Sequence, residues 1–108
     1  MSPTSSGHAD HVGALAAEVA ETLRDLGDVS WRKMFGGAGL YLRGAMFALV
    51  DPDAQLHLKV DDTNRARFEA AGSERFRRMP YYAVPAEVLD DPALLLEWAA
   101  ESAAVARR

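Results

Sequence analysis

Between Met34 and Val60 the chain carries three short runs of strand-like alternation: Ala38 to Arg43, Ala45 to Val50 and Gln55 to Val60. The turns between them are Gly44 and the cluster Asp51-Pro52-Asp53. Connections this short join neighbouring strands as hairpins, so the stretch predicts an antiparallel meander. The rest of the chain is then helix laid against that sheet, or linker leading to it.

Side-chain alternation assigns the faces. In the first run Leu40 and Leu42 point one way and Tyr41 and Arg43 the other; in the last, Leu56, Leu58 and Val60 oppose Gln55, His57 and Lys59. One face is therefore core and the other at least partly wet. The middle run, Met46 to Val50, is apolar on both faces, as a central strand covered on both sides would be. Across it Tyr41, His57 and Lys59 share the more polar surface, and such groups can do acid-base work when their pKa values are shifted. With no cleft or paired carboxylate to support it, cross-strand packing is the plainer account.

The flanks supply the helices and outer strands. Val12, Leu15, Val19, Leu23 and Leu26 recur at three- and four-residue steps, an apolar helical stripe with Gly27 as its stop. Val29 to Phe35 reads as a first strand, and Met79 to Pro85 as an edge strand with Tyr81 and Tyr82 on opposite faces. Asp61-Asp62-Thr63-Asn64 offers caps for a short helix from Arg65 to Ala71 ended by Gly72, with Phe68 toward the sheet. Ala86 to Leu89 suits a helical turn. Asp91-Pro92 starts a firmer helix that buries Leu95, Trp98, Ala99, Ser102 and Val105. Residues 1–8 read as a disordered polar tail, and 9–108 as one small α+β domain with a sheet of about four to five strands between N- and C-terminal helices.

Several chemistries are excluded or disfavoured. The 108 residues include no cysteine, which removes disulfides, thiol nucleophiles and thiolate-held zinc. No apolar run approaches the roughly 20 residues that cross a bilayer, so a cytoplasmic protein is expected. Gly36-Gly37 lacks the lysine and hydroxyl of a phosphate loop; in Met34-Phe35-Gly36-Gly37 it reads as a backbone requirement, with Phe35 in the core. His8 and His11 have no third ligand, and Asp51, Asp53, Asp61 and Asp62 lack calcium-loop spacing. Neither metal nor cofactor is expected.

Charge is uneven although the net value is only -4. Acidic helices bracket a basic middle that contains Arg65, Arg67 and the quartet Arg75-Phe76-Arg77-Arg78. The candidate partner-binding residues are Arg75, Arg77 and Arg78, with Arg65, Lys59 and Tyr41 beside them.

The ordered set Met34-Phe35-Gly36-Gly37-Ala38-Gly39-Leu40-Tyr41, Met46 to Val50, Leu56 to Asp61, Met79 to Pro85 and Trp98 resembles the N-terminal domain of TfoX (Sxy)-type competence regulators. The resemblance spans roughly positions 12–105. It implies an antiparallel sheet flanked by helices, with Met34, Phe35, Gly36, Gly37, Tyr81, Tyr82 and Trp98 as structural positions. It also implies a part in regulating bacterial transformation genes through protein contacts, with no catalytic residues. Full-length regulators carry a second domain that this chain does not reach, and many relatives have a longer segment where this chain has only Arg77-Arg78. The expected function is a stand-alone, non-enzymatic protein-interaction module in transcriptional regulation, monomeric or homodimeric. Weak nucleic-acid binding through Arg75 to Arg78, or small-ligand binding, is the alternative.

Overall fold

Alternation and turn length together set the sheet. The computed structural model describes residues 8–108. Five strands, β1 (Val29–Met34), β2 (Gly37–Leu42), β3 (Ala45–Val50), β4 (Leu56–Lys59) and β5 (Tyr81–Ala83), lie in sequence order, each antiparallel to its neighbour. The expected meander is present, extended by one strand on each side. The tail expected over residues 1–8 lies outside the described residues except for His8, which opens the first helix.

Two of the turns are as short as hairpins allow. Met34 pairs with Gly37 across Phe35-Gly36, and Leu42 pairs with Ala45 across Arg43-Gly44. Both central residues are left-handed in each turn, with φ 51° and 81° in the first and 54° and 83° in the second. This sign pattern belongs to type I′ turns, whose twist matches that of the strands. Arg43, expected at the end of a strand, is therefore half of the turn.

A register shift at Leu40/Tyr41 sets Leu40 opposite Ala48 and Tyr41 opposite Met46, which leaves Phe47 as the extra residue of a bulge. Phe47 and Ala48 consequently both join the core.

Helices α1 (His8–Thr22) and α4 (Pro92–Ala106) pack on one face of the sheet; α2 (Arg65–Ala70) and α3 (Ala86–Leu89) connect and flank. Val12, Val19 and Leu23 of the first-helix stripe are buried, with Ala16 beside them, while Leu15 and Leu26 are half-buried. That helix stops at Thr22, and a 3₁₀ turn over Arg24–Leu26 leads to Gly27. Asp91 caps α4 as expected, accepting from the backbone N–H groups of Ala93 and Leu94. Trp98 meets Phe68 edge-on with ring centroids 4.8 Å apart, so these two aromatic side chains hold α2 to α4.

One buried polar group of contacts fastens α4 to the sheet. The Lys59 carbonyl accepts from Ser102 Oγ at 2.7 Å and from Asn64 Nδ2 at 3.0 Å, while Asn64 Oδ1 accepts from the Asp61 N–H. Each of these buried groups has a partner, the condition under which a buried polar group does not destabilise. No described helix is long and apolar enough to cross a membrane.

Candidate functional site

The face of the sheet away from α1 and α4 has no helix on it. Alternation places Met34, Tyr41, Leu49, His57, Lys59 and Tyr81 there. Gly39 leaves room beneath the thioethers: a Cβ on it would sit 2.8 Å from the Met46 sulfur and 2.9 Å from the Met34 sulfur. The Tyr41 hydroxyl donates to Met34 sulfur at 3.8 Å, with the Arg32 guanidinium 4.9 Å from its ring centroid. Tyr81 donates to the Met46 carbonyl at 3.3 Å, and burial pushes its phenol pKa up to about 12.

A strap over residues 74–80 crosses part of this face. It runs back along β5, since Phe76 N–H donates to the Tyr81 carbonyl and Ala83 N–H to the Glu74 carbonyl. Its ladder with β5 is a single bridge, Arg75 with Tyr82, in keeping with the short Arg77-Arg78 segment. Arg75 holds the strap's tip, donating to the carbonyls of Met79 at 3.0 Å and Arg78 at 2.8 Å. Within the tip, Met79 N–H donates to the Phe76 carbonyl, and Arg77 takes a left-handed φ of 55°. Its guanidinium lies 5.0 Å from the Phe76 ring centroid.

Between the first turn and this strap lies an apolar cleft of about 220 Å³, lined by Met34, Phe35, Met46, Leu49, Pro52, Met79 and Arg77. Phe35, expected in the core, is 96% exposed, and Met79 is 40% exposed. The correction has a backbone cause. Pairing of Met34 with Gly37 forces Phe35 into the turn, where no neighbouring strand can cover it. The two glycines after it do different work. Gly36 supplies the second left-handed residue, whereas a Cβ on Gly37 would come within 2.2 Å of the Val50 carbonyl oxygen.

His57 is buried beneath the strap, its ring centroid 5.0 Å from that of Phe76. Its Nδ1 lies 3.1 Å from the Gln55 carbonyl, an acceptor, so Nδ1 carries a proton. Nε2 is 4.0 Å from Oδ2 of buried Asp51. Burial pulls the His57 pKa below its ordinary value, against the opposing effects of the Gln55 carbonyl and the Asp51 carboxylate. The other oxygen of Asp51 accepts from the N–H groups of Asp53 and Gln55, which ties down the β3–β4 turn.

The structure separates the residues that the sequence grouped. Tyr41 is engaged with Met34 and Arg32, while His57 is closed under Phe76. Arg65 is bonded to Asp62 and reaches Tyr82, whose ring packs toward Phe68 on the helix side. Arg67 pairs with Glu97 and Glu101 and stacks over Trp98. Arg75 is turned into its own strap, and Arg78 has no carboxylate partner among the described residues. From the sequence Asp51 was read only as a turn residue and Met34 only as a structural position, and Met46 and Met79 were not singled out as cleft lining. The hairpin spacing around Phe35 could have revealed its exposure, because a two-residue turn leaves its first side chain outside both strands.

His8 lies outside the described side chains, so its spacing to His11 receives no structural account. Among the described residues there is no group of three or more metal-ligating side chains.

A small α+β domain with helices on one face of a five-stranded meander and a cleft on the other is the class that these features define. More particularly, the chain belongs to the TfoX N-terminal domain family, whose model matches residues 21–106. It is 42% identical over 57 residues to the DNA transformation protein TfoX1 of Aliivibrio fischeri (strain ATCC 700601 / ES114), a match covering 53% of this chain. The match spans only 27% of that relative's length.

Proposed function

We propose that this domain is a non-enzymatic docking module that contributes to competence-related regulation by binding a protein partner through its open sheet face. The carrying observation is Phe35: a large apolar side chain held 96% exposed by a left-handed turn, at the rim of an apolar cleft. Water contact at such a side chain is unfavourable, and aromatic residues at a pocket rim are typical anchors of protein interfaces. The family and the printed name of the TfoX1 relative support the regulatory setting.

Affinity capture with the wild-type domain beside Phe35→Asn, each with and without nuclease, tests this. A retained protein that survives nuclease and is lost with Phe35→Asn is the expected result. Asparagine tolerates the left-handed backbone, so loss would report the missing ring rather than a broken turn.

Arg77 and Arg78, neither paired with a described carboxylate, favour a second reading, direct nucleic-acid binding. It requires recovery only while nucleic acid is intact, and affinity that falls steeply with added salt.

A further inference from the structure

We infer that the cleft seats one apolar side chain of an acidic partner segment, whose carboxylates meet the cations Arg77 and Arg78. This rests on the docking reading above and gives the partner its chemistry.

Size is the first constraint. At about 220 Å³ the cleft falls below the roughly 300 to 1,000 Å³ typical of small-molecule sites, yet it can take a single side chain. Its lining sets the second: Met34, Met46 and Met79 present flexible, polarizable thioethers that repack around different apolar shapes. A fixed cofactor calls for a rigid lining with several aimed polar groups, and this one has few.

Charge decides the rest. Arg77 lines the cleft, while Arg78 adjoins its lining residue Met79 in the chain; both are exposed, and neither pairs with a described carboxylate. Asp51, the carboxylate in the lining, is occupied by Asp53 N–H and Gln55 N–H. Glu21 is held by Arg24, Glu97 and Glu101 by Arg67, and Asp61 by Arg108, while Asp53, beside the lining residue Pro52, is an exposed acid that the two cations outnumber. An apolar anchor flanked by carboxylates complements such a rim, whereas a two-fold pairing with a second copy would set like charges against one another.

Selection of random peptides displayed on phage against the purified 108-residue protein tests the inference. Enriched sequences should combine an aromatic or large aliphatic residue with flanking Asp or Glu. Synthetic copies, measured by fluorescence anisotropy, should bind ~10-fold or more weakly to Phe35→Asn and to Met79→Gln, as hot-spot loss predicts. Binding should also weaken several-fold with Arg78→Glu, and stay unchanged with Arg43→Asn in the equivalent second turn. Melting curves of each variant verify the fold.

Neutral or basic peptides that still depend on Phe35 would overturn the acidic partner and leave the docking reading standing. Peptides indifferent to both Phe35→Asn and Met79→Gln, or no enrichment at all, would overturn both. Displacement of the peptides by a single-stranded oligonucleotide would overturn the inference in favour of nucleic acid.

Discussion

The Phe35-Gly36 and Arg43-Gly44 turns share a backbone and differ in what they display. Each joins two strands through two left-handed residues, and each places glycine second. At the first position one shows a cation that water solvates readily; the other shows a phenyl ring that it does not. Folding needs the backbone of both turns, but it gains nothing from the exposed ring. The β3–β4 turn makes a third case. It too contains a left-handed residue, Ala54, but here a side chain organises the turn, through the Asp51 carboxylate and its two N–H donors.

The comparison can be tested from its strongest consequence downward. Gly37→Val should destabilise the domain by ~3 kcal/mol, as severe overpacking does, because the added Cβ meets the Val50 carbonyl oxygen. Chemical denaturation measures this, and an unchanged midpoint would show that β2 and β3 can part locally.

Asp51→Ala should cost about 2 kcal/mol by removing two hydrogen bonds to a buried carboxylate. The third turn should also respond to acid. The folded pKa of His57 lies below its ordinary 6.5, so the unfolded chain takes up a proton at pH values where the folded domain refuses it. Stability is then flat above about 6.5 and falls as pH drops from there toward the folded value. Urea midpoints across this window should shift in the wild type and shift less in His57→Gln.

Gly36→Ala and Gly44→Ala should each cost about 1 kcal/mol, equally, since neither added Cβ meets closer than ordinary contact and the penalty is the left-handed backbone. Unequal losses would mean that the two turns are not equivalent. Smallest of all, Phe35→Asn and Arg43→Asn should change stability by no more than a few tenths of a kcal/mol, in the stabilising direction, because asparagine suits the first position of this turn. Thermal melting compares the pair, and a large loss with Phe35→Asn would mean that the ring supports the fold after all.

Much of this architecture is legible in the chain. Alternation in Leu40, Leu42, Leu56 and Leu58 foretells the buried face, and Asp91-Pro92 marks where the last helix begins. The bulge at Leu40/Tyr41 is not legible, because Met46 to Val50 is apolar throughout and gives no sign of which residue is extra. Phe35 was misplaced for a similar reason. Hydrophobicity suggests burial, and only the exact hairpin pairing reveals that the residue lies outside both strands. The cleft depends on the strap's return over the sheet, held by Arg75 through backbone carbonyls, a contact that residue type does not disclose. Arg65 and Arg67 looked like part of one basic surface with Arg75 to Arg78; their acidic partners come from Asp62 and from the distant Glu97 and Glu101.

The Lys59 carbonyl finds its hydroxyl partner 43 residues later in Ser102, and Asp61 meets Arg108 across 47 residues. On the ribosome, all five strands therefore emerge before α4, the helix that covers β3 and β4, although α1 is already there for β1 and β2. Until α4 clears the exit tunnel the nascent sheet carries Phe47, Leu56 and Leu58 uncovered on that side, when chaperone capture or aggregation competes with folding. Slowing translation between β5 and α4 would lengthen that exposure, which makes yield in cells sensitive to codons that change no residue.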